Sequence, residues 1–457
     1  MKRIGILTAG GDTPALNATI NGAVERANQH NIEVYGFLRG YAGLVEATIP
    51  HLRLNPLFTS IPELDPCSGG TILGSSRTYV DRNSDALPEI QWKLEKLGIE
   101  GLICIGGDGT INGMQPISEF IPCVLAPKTI DNDLGLNYLD EANEYTQETN
   151  SAGETHTILN PSRARIRREE IINYATPGYA TAVYVVAQSI QRIRTTAESH
   201  RRIVIIEVMG RQSGYIALGS AYGQPDLILI PEQPLNLDRL ERRVRELYEL
   251  QNHVVIVAGE GVVGEDGQPL GDLAPGLDGN IKYNGAAEAL KIILERRIDA
   301  DFIRTVRRHE PTKSAIFTRK VGHTQRGGRP ILFDRFHATQ LGGNAVDLLL
   351  DRQSNSISTL QWSKEHGFTL SSVDANKLRD QWGEIHPRLV HSSMYDDERY
   401  CVSDFGIEYL RPIFSNAIGH DDVEHLRQDI FNRRNLADRY QSVNVDISKR
   451  IRRLPLE

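Results

Sequence analysis

The chain has 457 residues, of which 40% are hydrophobic and 24% are charged, so we expect a soluble globular protein with two or three domains. Its formal net charge is 51 − 59 = −8, which argues against a dedicated nucleic-acid binder but is compatible with a local anion site. The N-terminal apolar run is too short for a signal peptide and no segment approaches the length of a membrane span, so we predict a cytoplasmic protein without a membrane partner.

The first predicted elements are a strand, a glycine turn and a helix. An apolar run at 4–9 breaks into the sequence GGDTP, and apolar residues then recur at helical spacing from Leu16 to Ala27. The same order recurs at 101–110 and at 123–133. Further apolar strands are predicted at 202–211, 226–232 and 253–261, with an amphipathic helix at 237–251. Such alternation is typical of mostly parallel sheets covered by helices, so the predicted fold class is α/β.

Two segments break this alternation. Residues 134–173 are acidic and rich in Asn and Thr in their first half, and their second half carries Arg163, Arg165, Arg167 and Arg168. We interpret 134–173 as a surface insertion that contains a short helix. From about residue 366 to residue 457 the alternation of strands and helices fades, and the sequence assigns no role to this C-terminal extension.

The cysteines give no sign of a metal cluster. Cys67, Cys104, Cys123 and Cys401 are scattered and include no CxxC pair. Because Cys104 and Cys123 lie in apolar runs, we expect buried thiols in a protein from a reducing compartment.

Glycine-rich stretches provide three candidate anion-binding loops. Residues 10–12 (GGD) and 106–110 (GGDGT) can each present backbone N–H groups, with a helix N-terminus behind them. Residues 69–77 (GGTILGSSR) end in Arg77, a candidate phosphate clamp. None is a Walker loop, and a tight turn explains any one of them equally well. Because ligands bind at the carboxyl ends of parallel strands, several such clusters at equivalent ends favour a shared site.

The stretch 126–133 (APKTIDND) ends a predicted strand with a lysine and two aspartates. Phosphoryl transfer requires Mg²⁺ on the phosphates, a cation for the transferring group and a base for the attacking hydroxyl. Asp108 and Asp133 are candidate sources of carboxylate oxygen for Mg²⁺, Arg77 is the candidate cation and Asp131 is the candidate base. A single loop aspartate is more often a cap or turn residue, so this interpretation depends on the coincidence of all four.

Six motifs in chain order, GGDTPALNA, GGTILGSSR, IGGDGT, PKTIDND, SHRRIVIIEVMGRQSG and GHTQRGGRP, make the chain resemble 6-phosphofructokinase over about residues 3–350. The resemblance implies two similar α/β domains with the active site between them, a homo-oligomer (dimer or tetramer), and phosphorylation of the 1-hydroxyl of fructose 6-phosphate. It divides the chain into a donor domain at 1–135 completed by about 324–365, the 134–173 insertion, a sugar-phosphate domain at 174–323 and the extension at 366–457.

The resemblance also assigns residues by position. The donor side comprises Gly11, Tyr41, Arg77, Gly107, Asp108, Gly109, Thr110 and Lys128, with Asp108 as the magnesium ligand. The catalytic set comprises Asp131 as the base, with Arg77, Thr129 and Asp133. The sugar side comprises Thr129, Asp131, Arg202, Met209, Gly210, Arg211, Glu260, Arg319, His323 and Arg326. Met209 is equally well explained as core lining, and Tyr41 as packing under a loop.

Three departures from the family pattern affect what the resemblance implies. An arginine that the family usually carries six residues before the histidine of GHTQRGG is Phe317 here, and Arg319 is the candidate substitute on the same strand face. The arginines of the familiar bacterial effector site are Asn21 and Glu25, so we do not expect control of that type. The insertion follows the catalytic loop directly and is a candidate lid or interface element.

The phosphoryl donor depends on two positions in this family. Pyrophosphate users tend to carry an aspartate where this chain has Gly109, and a lysine where it has Lys128. Gly109 leaves room for the α-phosphate of a nucleotide, so we favour ATP, with pyrophosphate as the alternative. Two further hypotheses are a kinase of another sugar phosphate such as sedoheptulose 7-phosphate, and a catalytically silent regulatory paralogue, against which the complete catalytic set argues.

Overall fold

A computed structural model describes residues 1–55, 61–149, 155–160, 166–275, 281–298, 302, 315–425 and 442–455. The strands are β1 (Arg3–Thr8), β2 (Glu33–Phe37), β3 (His51–Arg53), β4 (Leu102–Gly106), β5 (Cys123–Pro127), β6 (Tyr145–Thr149), β7 (Thr155–Leu159), β8 (Ile203–Val208), β9 (Leu227–Leu229), β10 (Val254–Gly259), β11 (Asp272–Pro275), β12 (Ile281–Asn284), β13 (Ile316–Lys320), β14 (Ser356–Ser363), β15 (Gly367–Asp374), β16 (Tyr395–Asp396) and β17 (Cys401–Val402). The helices are α1 (Leu16–Gln29), α2 (Ala42–Val45), α3 (Leu87–Leu97), α4 (Asp108–Ile117), α5 (Tyr179–His200), α6 (Tyr215–Gly219), α7 (Leu237–Gln251), α8 (Ala286–Arg297), α9 (Leu332–Leu350), α10 (Asp404–Phe414), α11 (His420–His425) and α12 (Val443–Ile447).

The larger sheet has seven strands in the order β15-β14-β5-β4-β1-β2-β3. Its five inner strands are parallel, and β15 and β3 pair antiparallel at the two edges. Strands β4 and β5 are fully buried, as expected for strands covered by helices on both faces. The strand–glycine–helix order predicted at 4–27 and 101–110 is confirmed as β1 with α1 and β4 with α4. At 123–133 the strand is confirmed as β5, but the expected helix is wrong, because the next helical segment is a 3-10 helix at Leu139–Glu144.

The second sheet has four parallel strands in the order β13-β8-β10-β9. Strands β8, β9 and β10 are the three apolar runs that the sequence predicted. The predicted amphipathic helix is α7, whose first turn is capped by Asn236, because its side chain accepts a hydrogen bond from the backbone N–H of Arg239 at 2.8 Å. The predicted α/β class with mostly parallel sheets is therefore confirmed.

The chain returns to the first sheet after it has completed the second. Strand β14 pairs with β5, and helix α9 packs against α1. The two helices approach closely because Gly22 and Gly342 lack side chains: a Cβ on Gly22 would collide with the carbonyl of Thr339, and one on Gly342 with the carbonyl of Thr19. The predicted domain boundaries remain a proposal, and this return is consistent with the completing segment at 324–365.

The prediction that all of 134–173 is a surface insertion is wrong at both ends. Leu134, Leu136, Ile171 and Ile172 are buried, and they belong to the hydrophobic clusters that form the core. Between the ends lie short 3-10 helices and the hairpin β6–β7, whose described side chains are mostly exposed. Arg163 and Arg165 lie outside the described residues.

Two further expectations concern membranes and thiols. No described helix is long and apolar enough to cross a membrane. Cys104 and Cys123 are fully buried, as the sequence predicted, and all four cysteines are free thiols.

Candidate active site

The neighbouring strands β1, β4 and β5 end at one edge of the larger sheet, and their loops meet there. These loops, the loop at 76–79 and two arginines that follow strands of the second sheet line a cavity of about 450 Å³. The lining residues are Ala9, Gly10, Gly11, Thr13, Tyr41, Ser76, Arg77, Thr78, Tyr79, Gly107, Asp108, Gly109, Thr110, Lys128, Thr129, Asp131, Asp133, Arg211 and Arg326. The structure therefore brings together all predicted donor-side and catalytic residues.

The first glycine loop is fastened to the loop that carries Arg77. The backbone N–H of Gly10 donates to the carbonyl of Ser76 at 3.1 Å, and the hydroxyl of Ser75 donates to the carbonyl of Gly10 at 2.6 Å. Gly10 has a φ of 80°, a left-handed conformation that glycine adopts without strain. The predicted phosphate clamp is thus held against the end of β1.

The second glycine loop forms the start of α4. Gly107 is extended and Asp108 begins the helix, so the free N–H groups of the first turn lie at the cavity, where they favour an anion. A Cβ on Gly109 would meet no atom within 4 Å, so this position opens onto free space. Tyr41 supports the loop, because its hydroxyl donates to the carbonyl of Thr110 at 2.7 Å. Tyr41 is 2% exposed and packs under the loop, and it also lines the cavity, so its place on the donor side stays a prediction.

The loop after β5 fixes its two acids differently. The hydroxyl of Thr129 donates to Oδ1 of Asp133 at 2.8 Å and accepts from the backbone N–H of Asp131 at 3.1 Å. Oδ1 of Asp131 is buried and has no hydrogen-bond partner among the described residues. Asn132, between the two acids, has a φ of 56°. Asp131 therefore keeps an oxygen available for a ligand.

The carboxylates share a low-dielectric environment. Burial and the neighbouring charge of Asp133 raise the pKa of Asp131 to about 7. The same two causes hold the pKa of Asp108 well above its usual range, although the backbone N–H of Gly135 donates to Oδ1 of Asp108 at 3.1 Å. A carboxylate with a pKa near neutrality can accept and release a proton at physiological pH.

Lys128 spans the gap between the catalytic loop and the first glycine loop. Its side chain is buried, and its Nζ donates to the carbonyl of Gly11. Burial and the nearby guanidinium of Arg326 lower the pKa of Lys128 to about 7. An anion in the cavity would favour the charged lysine.

Three guanidinium groups lie around the cavity. Burial, followed by the charges of Arg211 and Arg326, lowers the pKa of Arg77. Nη1 of Arg326 donates to the carbonyl of Asp12 at 3.4 Å. This arginine follows β13 of the second sheet and therefore connects that sheet to the first glycine loop. Because like charges converge here, the arrangement favours a polyanion such as a phosphate chain.

The donor set is suited to Mg²⁺. Asp108 and Asp133 repel each other, as the raised pKa of Asp108 indicates, and Mg²⁺ prefers carboxylate oxygens together with those of a bound phosphate. A divalent cation would offset this repulsion. Asp108, with Asp133 beside it, therefore fits the predicted metal site.

The predicted sugar-side residues are only partly gathered. Thr129, Asp131, Arg211 and Arg326 line the cavity, and Glu260 adjoins it, because one of its carboxylate oxygens accepts from the backbone N–H of Arg211 at 3.2 Å. Burial raises the pKa of Glu260. The remaining predicted residues, Arg202, Met209, Gly210, Arg319 and His323, do not line this cavity.

Arg202 and Phe317 lie near the amino ends of β8 and β13 in the second sheet. The guanidinium of Arg202 lies 5.8 Å from the centre of the Phe317 ring. Arg319 and His323 are exposed, whereas Gly210 is buried with a φ of 141°. A Cβ on Gly210 would collide with the carbonyl of Ser213, so this glycine permits the close turn before Arg211.

Sequence reasoning missed several residues around the cavity. Thr13, Ser76, Thr78 and Tyr79 line it, and their positions beside the glycine loops were the available signal. It also missed Arg388 of the C-terminal extension, whose backbone N–H donates to the carbonyl of Asp133 at 2.7 Å. A single arginine in an irregular segment carries no local signal of such a contact.

Comparisons with known proteins agree with this geometry. The Phosphofructokinase family matches residues 3–139 and 171–349. Two Streptomyces coelicolor proteins are each 33% identical to this chain: ATP-dependent 6-phosphofructokinase 3, aligned over 76% of this chain and 86% of its own, and Pyrophosphate--fructose 6-phosphate 1-phosphotransferase, aligned over 76% and 87%. The solved structure of a pyrophosphate-dependent phosphofructokinase from Nitrosospira multiformis has a TM-score of 0.68 at 17% identity, covers 92% of both chains, and indicates a shared fold.

Proposed function

This chain belongs to the phosphofructokinase family, and from that premise we propose that it is an ATP-dependent 6-phosphofructokinase that phosphorylates the 1-hydroxyl of fructose 6-phosphate. The observation that carries the proposal is the cavity in which Asp108, Asp131 and Asp133 face Arg77 and Arg326. Phosphoryl transfer requires this combination of acids and cations, because the reaction depends on positioning and on charge stabilisation.

In the proposed mechanism, the two acids after β5 have separate tasks. Asp131 accepts the proton of the sugar hydroxyl through its unpartnered oxygen, while the hydroxyl of Thr129 holds Asp133 in place. Mg²⁺, held by Asp108 with support from Asp133, would neutralise the donor phosphates when bound. Arg77 stabilises negative charge on the transferring group, and the amides of residues 107–109 bind the donor phosphates.

The choice of ATP over pyrophosphate depends on Gly109. A side chain at this position would extend into open space at the N-terminus of α4, where a nucleotide's α-phosphate would otherwise be accommodated. Lys128 is the pyrophosphate-type residue of the pair, but it contacts the carbonyl of Gly11 and leaves the space at Gly109 open. The two Streptomyces coelicolor relatives compared above do not separate the donors, because the one named for ATP and the one named for pyrophosphate are each 33% identical to this chain.

A second candidate substrate is a longer sugar phosphate such as sedoheptulose 7-phosphate. Phe317 favours it, because the usual phosphate-binding arginine is absent there and Arg202 lies against the phenylalanine ring instead.

In the family, an arginine equivalent to Arg202 reaches the site of a neighbouring subunit. We therefore propose a homo-oligomer, and we propose that the enzyme acts in the cytoplasm.

An assay of the purified chain with two donors and two acceptors tests the function. ATP or pyrophosphate is combined with fructose 6-phosphate or sedoheptulose 7-phosphate in the presence of Mg²⁺, and the bisphosphate product is quantified by ³¹P NMR. We expect the highest kcat/KM with ATP and fructose 6-phosphate. Turnover with pyrophosphate alone would refute the donor assignment, a preference for the longer sugar would refute the acceptor, and absence of turnover in all four reactions would favour a silent paralogue.

A further inference from the structure

Arg388, a fully buried arginine of the C-terminal extension, contacts the backbone of the catalytic loop. Arg388 is 1% exposed and is the largest of the side chains that are fully buried. A buried guanidinium is costly unless every N–H finds an acceptor, so its partners indicate what it stabilises. One of those partners, the carbonyl of Asn132, belongs to the loop that carries Asp131 and Asp133.

The guanidinium of Arg388 binds backbone oxygens. Its Nε donates to the carbonyl of Asn132 at 3.0 Å, and its Nη1 donates to the carbonyl of Asn173. The Nη2 of Arg388 lies 3.4 Å from the hydroxyl of Tyr409, and its Cζ lies 4.5 Å from the centre of the Tyr215 ring. None of these partners is a carboxylate, so the guanidinium is held by carbonyl and hydroxyl oxygens and by an aromatic ring.

The loop residue that Arg388 binds has an unusual conformation. Asn132 has a φ of 56°, which costs free energy for a residue other than glycine. Its side chain is also fixed, because Nδ2 donates to the hydroxyl of Tyr409 at 2.8 Å and Oδ1 accepts from the backbone N–H of Thr176 at 2.9 Å. A rotation of Asn132 would swing the acids on either side of it.

Arg388 also connects the two sides of the cavity. Its backbone N–H donates to the carbonyl of Asp133 at 2.7 Å, and its carbonyl accepts from the hydroxyl of Ser213 at 3.0 Å. Ser213 lies two residues after Arg211, which lines the cavity from the loop that follows β8 of the second sheet. One residue thus links the catalytic loop to the turn that carries a candidate substrate-binding arginine.

We propose that the side chain of Arg388 is a positioning group for phosphoryl transfer: by holding the carbonyl of Asn132 beside the backbone contact to Asp133, the guanidinium fixes the directions of the carboxylates of Asp131 and Asp133. The kinetic part of this proposal rests on the proposed function. Displacement of a base by about 1 Å costs on the order of 100-fold in rate, and such a loss falls on kcat when substrate contacts are unchanged.

The test compares Arg388→Met and Arg388→Lys with Tyr400→Phe. Tyr400 is a matched control, because it is buried in the same extension and its hydroxyl donates to the carbonyl of Asn236 at 2.8 Å, away from the cavity. We expect Arg388→Met to lower kcat about 100-fold with KM values for both substrates within about threefold of wild type. Arg388→Lys, which keeps the charge without the planar fork, should recover about tenfold, and Tyr400→Phe should stay within about twofold.

Hydrogen exchange of residues 128–137 supplies a readout that needs no turnover. The loop amides should exchange at least about tenfold faster in Arg388→Met than in wild type, and unchanged in Tyr400→Phe. If Arg388→Met does not fold, Arg388→Lys carries both measurements with smaller expected effects. A kcat within threefold of wild type, an equal loss in Tyr400→Phe, or unchanged loop exchange would overturn the proposal. If the wild-type protein shows no turnover, the proposed function fails, and exchange alone decides whether Arg388 holds the loop.

Discussion

The hydroxyl of Thr129 donates a hydrogen bond to the carboxylate of Asp133 at 2.8 Å, and this bond separates two acids that lie in one short loop. Asp133 is held by the threonine, whereas Asp131 keeps a buried oxygen without a hydrogen-bond partner among the described residues. Both acids follow a fully buried strand, which gives the loop a rigid support. This difference supports the proposal that Asp131 is the base.

The pH dependence of the reaction should report the carboxyl of Asp131. Burial and the charge of Asp133 raise its pKa to about 7, so the base is increasingly protonated below that pH. We expect kcat/KM to fall about tenfold per pH unit on the acid side, with an apparent pKa near 7 that belongs to the coupled acids. Steady-state kinetics between pH 5 and 8 measure this limb, and a profile that is flat down to pH 5 would contradict the assignment.

The stability of the wild-type protein relative to Asp131→Asn should fall as the pH rises, whereas the activity should rise. The folded pKa of Asp131 lies above its ordinary value of 3.8, so its stabilising contribution is complete below about pH 4 and is lost as the pH rises through 7. The asparagine variant, which never ionises, should therefore exceed wild type in free energy of unfolding at pH 8, by a few kcal/mol at most. At pH 4.5 the difference should be much smaller. Urea denaturation at the two pH values measures it, and an equal difference at both would contradict the burial argument.

The space at Gly109 predicts the effect of an aspartate there. Gly109 lies in the first turn of α4, where an acid favours the helix, and a Cβ would meet no atom within 4 Å, so Gly109→Asp should fold normally. Its charge should repel the α-phosphate and lower kcat/KM for ATP by about 100-fold, while use of pyrophosphate is spared. Gly109→Ala, which adds a methyl without charge, is the matched control and should change the value less than about threefold. Equal ATP use by both variants would show that Gly109 does not select the donor.

Lys93 predicts a stability effect that is separate from catalysis. Its Nζ is buried and donates to the carbonyls of Gly43, Glu46 and Ile49, at and beyond the end of α2, at 2.7, 2.9 and 3.1 Å. Lys93→Met leaves these carbonyls without their donor, so we expect the free energy of unfolding to fall by about 2–4 kcal/mol. The control is Lys96→Met, because Lys96 lies on the exposed face of α3, the helix that also carries Lys93. This substitution should cost less than about 1 kcal/mol. Chemical denaturation of both variants checks the difference, and equal losses would contradict the structural role.

The fold and the donor side of the site were accessible from the sequence because their signals are local. Apolar runs identified β1, β4 and β5, and the polar residues just after them had to converge, since the carboxyl ends of neighbouring parallel strands share one edge. Asp108 and Asp131 could therefore be placed in one site from the pattern of strands and loops alone.

The features that the sequence did not reveal depend on distant contacts. Arg388 is 255 positions from Asp133, and its burial is explained by acceptors that only the fold brings together, the carbonyls of Asn132 and Asn173 and the hydroxyl of Tyr409. The ends of the predicted insertion were misplaced for a related reason. The acidic composition of the segment outweighed Leu134, Leu136 and the isoleucines at 171 and 172, whose core neighbours come from other parts of the chain.

The single-turnover rate of phosphoryl transfer in wild type and in Asp131→Asn tests the proposed reaction and its base most directly. Enzyme in excess of γ-³²P-ATP is mixed with saturating fructose 6-phosphate and Mg²⁺, and labelled fructose 1,6-bisphosphate is quantified by rapid quench. We predict transfer in wild type, a rate at least about 100-fold lower in Asp131→Asn, and an unchanged Kd for ATP in the variant. Transfer at the wild-type rate in Asp131→Asn would contradict the assignment of the base, and absence of transfer from ATP in the wild-type enzyme would contradict the proposed reaction.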